Sequence, residues 1–131
     1  MNICKFSDVV QFRQHVEPFL LQHEAENHLI LGILGDILSG DYAEAYMVCV
    51  ETKDDIALVA LRTPPHNLLL STTSNLDSIA FIVADLHQEY MMLSGISTLS
   101  DIAQSFAEQW QLATGQTYTQ NGSGNLSARV C

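Results

Sequence analysis

His23, Glu24, Glu26 and His28 place two imidazoles and two carboxylates in one short stretch, the side-chain types that hold divalent metals or relay protons. Spacing decides against the zinc-protease arrangement, which needs histidines at i and i+4 on one helical face. The residue four after His23 is Asn27, so only Glu24 and His28 share a face. The cluster reads as a solvated helix start with its glutamates beside the positive end of the helix dipole, and no metal site is expected. His66 follows Pro64-Pro65 on a rigid turn, and Arg62 ends a strand-like stretch beside it, either facing an anionic ligand or pairing with a carboxylate. Cys49 lies among Tyr46, Met47, Val48 and Val50 and reads as a small buried hydrophobe, because a nucleophilic thiol needs an exposed, electropositive setting. Cys4, Cys49 and Cys131 form an odd set with no close pair, which speaks against a disulfide framework and against a cysteine-based zinc site. The acidic run from Glu51 to Asp55 lacks the length and spacing of a calcium loop and reads as a hairpin turn.

The elements that must position these residues follow from periodicity. Asn2 to Phe6 is a short apolar opening, Ser7 or Asp8 is a helix cap, and Val9, Phe12, Val16 and Phe19 then fall on one helical face. Pro18 is expected to kink or end that helix. A second helix is predicted from Glu24 to Leu38, with Leu29, Ile30, Ile33, Leu34, Ile37 and Leu38 forming an apolar arc broad enough to bury most of it, and Gly40 as its stop. Tyr42 to Glu51 and Ile56 to Leu61 predict a β-hairpin, and Leu68 to Ser71 a third short strand after the prolines. Ser74 with Asp77 three residues on opens a helix striped by Leu76, Ile79, Val83, Leu86 and Tyr90 that runs to about Met92. Gly95 to Thr98 is a weak strand. Ser100 caps a last helix with Ile102, Ala103, Phe106, Ala107, Trp110 and Ala113 on its inner face, ended by Thr114-Gly115. The order is β, α, α, β, β, β, α, β, α, an α/β class with a mostly antiparallel sheet flanked by helices. After Tyr118 the chain is small, polar and aperiodic, and residues 119–131 are expected to form a flexible tail.

Composition narrows the partners. The 131 residues carry 5 Lys plus Arg against 15 Asp plus Glu, a formal charge of −10, so the clustered cations that neutralise phosphates or anionic lipids are missing. Neither nucleic acid nor a membrane is an expected partner. With 47 % hydrophobic and 15 % charged residues the chain has enough apolar material for one folded core. The N-terminus lacks a basic run followed by a long apolar stretch, and no apolar window reaches the roughly 20 residues of a bilayer crossing. A cytoplasmic protein is expected.

Three separated segments carry a family resemblance: His23-Glu24-Ala25-Glu26-Asn27-His28 followed by Leu31-Gly32-Ile33, Val59-Ala60-Leu61-Arg62-Thr63-Pro64-Pro65-His66, and Phe106-Ala107-Glu108-Gln109-Trp110 with Thr114-Gly115. Together with the element order, they resemble the N-terminal half of a bacterial GNAT-family acetyltransferase that carries two GNAT-like halves in tandem. The resemblance spans residues 1–118 as one GNAT-like domain. It implies that acetyl-CoA binding would belong to a motif Gln/Arg-x-x-Gly-x-Gly/Ala between the fourth strand and the next helix, where glycines let backbone N–H groups approach the pyrophosphate. The corresponding stretch here, Ser71, Thr72, Thr73, Ser74, Asn75, Leu76 and Asp77, has no glycine and no basic residue, and Asp77 would repel a phosphate. In the tandem proteins the cofactor-binding residues belong to the C-terminal half. The resemblance therefore implies a structural or substrate-orienting half that binds no cofactor alone.

Two other functions stand beside it. A divergent active N-acyltransferase would hold acetyl-CoA through the Ser71 to Asn75 loop, with Tyr90 or Tyr118 as general acid and a water or His66, near the cleft of GNAT-like folds, as base. An acidic protein-interaction module would take no small ligand. Residues beyond Tyr118 depart from the family pattern, which calls for an apolar closing strand. The sequence thus predicts a sheet lacking its final strands, as in a truncated or frame-altered product, and an open edge for homodimerisation or for docking to a catalytic GNAT half.

Overall fold

The computed structural model describes residues 1–38, 45–53, 55–63, 68–73, 75–89, 95–98, 100–115, 117–120 and 125–129. The chain opens with β1 (Asn2–Phe6), α1 (Val9–Leu21), α2 (His28–Leu38), β2 (Tyr46–Glu51), β3 (Ile56–Arg62) and β4 (Leu68–Leu70). It continues through α3 (Ser78–Glu89), β5 (Gly95–Ser97), α4 (Ser100–Thr114), β6 (Thr117–Gln120) and β7 (Asn125–Arg129). Through α4 this is the order that periodicity predicts. The strands form one seven-stranded sheet in the order β1-β2-β3-β4-β5-β7-β6. Among the described residues β4 and β5 are the one parallel pair; α3 is the crossover that joins them.

Both faces of the sheet are covered, which is why β2 and β3 read as continuous apolar runs with no polar alternation. Val48, Val50, Leu58, Ala60, Leu68 and Leu70 point to α3 and α4, where Ile79, Ile82, Leu86, Phe106 and Trp110 complete a buried cluster. Met47, Cys49, Val59, Leu61 and Leu69 point the other way, against Phe12, Val16 and Leu20 of α1 and Ile30 and Leu34 of α2. Each large side chain fully removed from water in these clusters contributes about 1.5–3 kcal/mol.

Local signals set the helix limits. Asp8 caps α1 by accepting from the Val10 amide at 2.9 Å. Pro18 lies inside the last turn of α1, which ends three residues on at Leu21; Leu20, fully buried in the second cluster, holds that turn past the missing N–H. The second helix begins at His28 and not at Glu24. Residues 22–27 are turns, and the first helical hydrogen bond runs from the Leu31 amide to the Asn27 carbonyl at 3.1 Å. Nor is most of α2 buried, since Leu29 is exposed and Leu31 and Ile33 are half-buried. Gly115, at φ +76°, ends α4 in the left-handed region that favours glycine.

The expected flexible tail is corrected. Residues 117–120 and 125–129 are strands β6 and β7, paired antiparallel, and β7 also pairs with β5 through Gly95↔Ser127, Ile96↔Leu126 and Ser97↔Asn125. The sheet therefore does not stop at β5 but continues through β7 to β6, its terminal strand on that side. The physical reason is that β5 supplies a backbone template, and ladder hydrogen bonds to it need no apolar alternation in the incoming strand. Among the described residues no helix is long and apolar enough to cross a membrane.

Candidate functional site

The sheet changes direction at β4, which is antiparallel to β3 and parallel to β5. Only Leu68↔Ile96 and Leu69↔Ser97 pair before both strands pass into loops, and ligands of open α/β sheets bind beyond the carboxyl ends of strands at such a switch point. A cleft of about 420 Å³ opens there, within the size of small-molecule sites. Phe19, Gln22, His23 and Glu26 line it from the α1–α2 connection, Asp55 and Ile56 from the β2–β3 hairpin, Thr72 and Thr73 from the loop after β4, and Asp101 and Ile102 from the start of α4. Among the described residues, three carboxylates and one imidazole line this space, and no Lys or Arg does.

The loop after β4 is closed on itself. Ser71 prolongs the ladder: its amide donates to the Val59 carbonyl at 2.9 Å, and its Oγ accepts from the Val59 amide at 2.8 Å. The Thr72 amide donates to Asn27 Oδ1 at 3.0 Å. The Asn75 amide donates to Thr73 Oγ1 at 3.1 Å and the Asp77 amide to Asn75 Oδ1 at 3.0 Å. Ser78 gives the Asn75 carbonyl both its amide, at 3.1 Å, and its hydroxyl, at 2.6 Å. Thus the amides of Thr72, Asn75, Asp77 and Ser78 already have partners within the protein. An anion seated at this helix start would have to displace them, with Asp77 in the same turn.

Asn27 is the residue that sequence reasoning passed over. Nearly fully buried at 1 % exposure, it bridges the α1–α2 connection to the cleft wall. Its Nδ2 donates to the Leu20 carbonyl at 3.1 Å and to Thr72 Oγ1 at 3.4 Å, while its Oδ1 takes the Thr72 amide. Its only sequence signal is an amide among charged residues.

The other candidates scatter. His23 and Glu26 reach the cleft. Glu24 and His28 do not form the expected helical pair, because Glu24 lies in a turn; His28 Nδ1 sits 3.0 Å from the Ala25 carbonyl. Arg62 ends β3 and is buried. Tyr118 lies on β6 in register with Ala128. His66, Ser74, Tyr90 and Cys131 lie outside the described residues. The acidic run after β2 is a hairpin turn, in which the Thr52 amide and hydroxyl donate to the Asp55 carbonyl at 2.7 and 3.0 Å.

A second cluster lies on the α1 side of the sheet. Cys4 and Cys49, far apart in the sequence, are set opposite each other by strand register, and both are free thiols. The two Sγ atoms and a Glu51 carboxylate oxygen lie within 4.8 Å of one another. Cys49 Sγ donates to Glu51 Oε1 at 3.4 Å, and His15 Nε2 from α1 sits 2.6 Å from the same oxygen. Burial pushes both thiols up, and the neighbouring carboxylate pushes the same way. The hydrogen bond from His15 holds the Glu51 carboxyl below its ordinary value. These thiols are protonated at neutral pH and are poor nucleophiles. On the other face, the buried Asp85 of α3 is 2.6 Å from Lys5 Nζ and accepts from Tyr46 Oη at 2.5 Å, tying α3 to β1 and β2.

Comparison with protein-family models, curated proteins and solved structures finds no match for this chain.

Proposed function

We propose that this chain is a GNAT-like domain that binds no acetyl-CoA by itself and acts as the structural or substrate-orienting half of a tandem N-acetyltransferase. The observation that carries the proposal is the loop after β4. At the position where the resemblance calls for a pyrophosphate cradle, the Thr72, Asn75, Asp77 and Ser78 amides are engaged internally and Asp77 adds a negative charge. The element order through α4, the parallel β4–β5 pair and the closing strands β7 and β6 support the fold part of the reading. The cleft supports the orienting part. Its Glu26, Asp55 and Asp101 carboxylates oppose a polyanionic cofactor and favour a cationic group, as an amine substrate is at neutral pH. With β5 covered by β7, docking to a catalytic half through a sheet edge would use a terminal strand, β6 or β1.

Isothermal titration of acetyl-CoA into the full chain, at ligand concentrations up to about 1 mM, tests the proposal; a binding free energy near −4 kcal/mol is visible there. No saturable heat is the expected outcome. Saturable one-to-one binding would overturn it in favour of a divergent acyltransferase, with His66, Tyr90 and Tyr118 as the residues to substitute.

A further inference from the structure

We propose that Cys4, Cys49, Glu51 and His15 form a binding site for one thiophilic divalent cation, with zinc as the natural probe. Three elements deliver these residues to one spot. Register on the β1–β2 ladder opposes Cys4 and Cys49, the next same-face position on β2 brings Glu51, and α1 lays His15 over the carboxylate. The donor set is two sulfurs, one imidazole nitrogen and one carboxylate oxygen, which suits the borderline-soft zinc ion in tetrahedral coordination.

The spacing suits it too. Ligands at zinc-bond lengths of roughly 2.0–2.3 Å stand about 3.3–3.8 Å apart along a tetrahedral edge. Cys49 Sγ and Glu51 Oε1 are at 3.4 Å, and Cys4, Cys49 and Glu51 lie within 4.8 Å of one another, so drawing these three around an ion needs side-chain shifts of about an ångström, while His15, outside that set, joins as the fourth ligand by a larger side-chain turn. His15 Nε2 already points at Glu51 Oε1, and turning it onto the ion replaces that hydrogen bond by a metal bond. Entry is open on the same side, because the His15 side chain is 41 % exposed while Cys49 forms the buried floor.

On binding, both thiols lose their protons to solvent. Two thiolates and a carboxylate against a doubly charged ion and a neutral imidazole leave the loaded site with one net negative charge. Neither the cleft nor the loop after β4 takes part, so the site stands or falls independently of the acetyl-CoA proposal.

The test uses the full chain, stripped with a chelator and kept reduced with a phosphine, titrated with Co²⁺ and then with Zn²⁺. Expected are a thiolate-to-cobalt charge-transfer absorption that saturates at one equivalent, its loss when zinc displaces cobalt, and its absence in Cys4→Ser and in Cys49→Ser. His15→Ala is expected to weaken zinc binding by about tenfold or more, since even groups that only orient a ligand are worth about 10–100-fold. His15 and Cys4 are not fully buried, so these variants keep the fold, and far-UV circular dichroism verifies it. Cys131→Ser is expected to keep the absorption. Absence of the band, its persistence in Cys4→Ser, its loss in Cys131→Ser, or saturation only at millimolar metal would each overturn the assignment.

Discussion

Replacing Asn27 by Ala tests whether one buried amide holds the cleft wall to the α1–α2 connection. The change removes the acceptor of the Thr72 amide, 3.0 Å away, and the donor to the Leu20 carbonyl, 3.1 Å away. The Leu20 carbonyl keeps a second donor in the His23 amide at 3.3 Å, so its loss is partial; the Thr72 amide has, among the described residues, Asn27 Oδ1 as its acceptor. An orphaned buried group costs about 1–3 kcal/mol, and one full plus one partial orphan give about 2–4 kcal/mol. That is a large share of the roughly 5–15 kcal/mol by which a domain is stable. Urea unfolding followed by the fluorescence of Trp110, the sole tryptophan and fully buried, would show a midpoint lowered by about 1–3 M. Asn27→Asp should be no milder. It keeps the acceptor for Thr72 but places a buried carboxylate against the Leu20 carbonyl. A loss under about 0.5 kcal/mol in both variants, as for an ordinary surface substitution, would refute the reasoning.

Tyr46→Phe removes the hydroxyl that donates to the buried Asp85 while leaving Lys5 in place. A hydrogen bond to a charged group is worth about 1.5–3 kcal/mol, and urea unfolding should register that loss; a change below about 0.5 kcal/mol would contradict it. The His15–Glu51 pair predicts a pH dependence. The folded-state carboxyl is held below its ordinary value of 4.5 by the hydrogen bond from His15, so the pair's contribution is present above that pH and fades as pH falls through the lower folded value. Both side chains are partly exposed, which limits the contribution to about 0.2–1 kcal/mol. His15→Ala should therefore be less stable than the parent by that amount at pH 6, and the gap should narrow as pH falls below the ordinary carboxyl value of 4.5; a gap that does not narrow on acidification in denaturant titrations would count against the pairing.

Much of the fold was legible because burial writes itself into composition. Val48 to Val50 and Ala57 to Leu61 are apolar at every position since helices cover both sheet faces, and the stripe from Ile79 to Leu86 has the helical period. The misses share one cause, which is contact between distant segments. The second helix begins at His28 and not at Glu24, and the Asn27 before it is tied to the Leu20 carbonyl and to Thr72, 45 residues on. The polar strands β6 and β7 carry no apolar alternation; their backbone is paired by β5 and by each other.

The same division runs through the candidate sites. From the sequence alone came the α/β class, the nine-element order, and the absence of glycine and basic residues after the fourth strand, because charge and backbone freedom are properties of the residues themselves. Tertiary structure alone decided that Asn27 serves the cleft wall, that His23 and Glu26 line one cleft with Asp55 and Asp101 while His28 turns to the Ala25 carbonyl, and that Cys4 meets Cys49. Those proximities depend on strand register and helix placement, which the whole core sets together, and no local spacing encodes them.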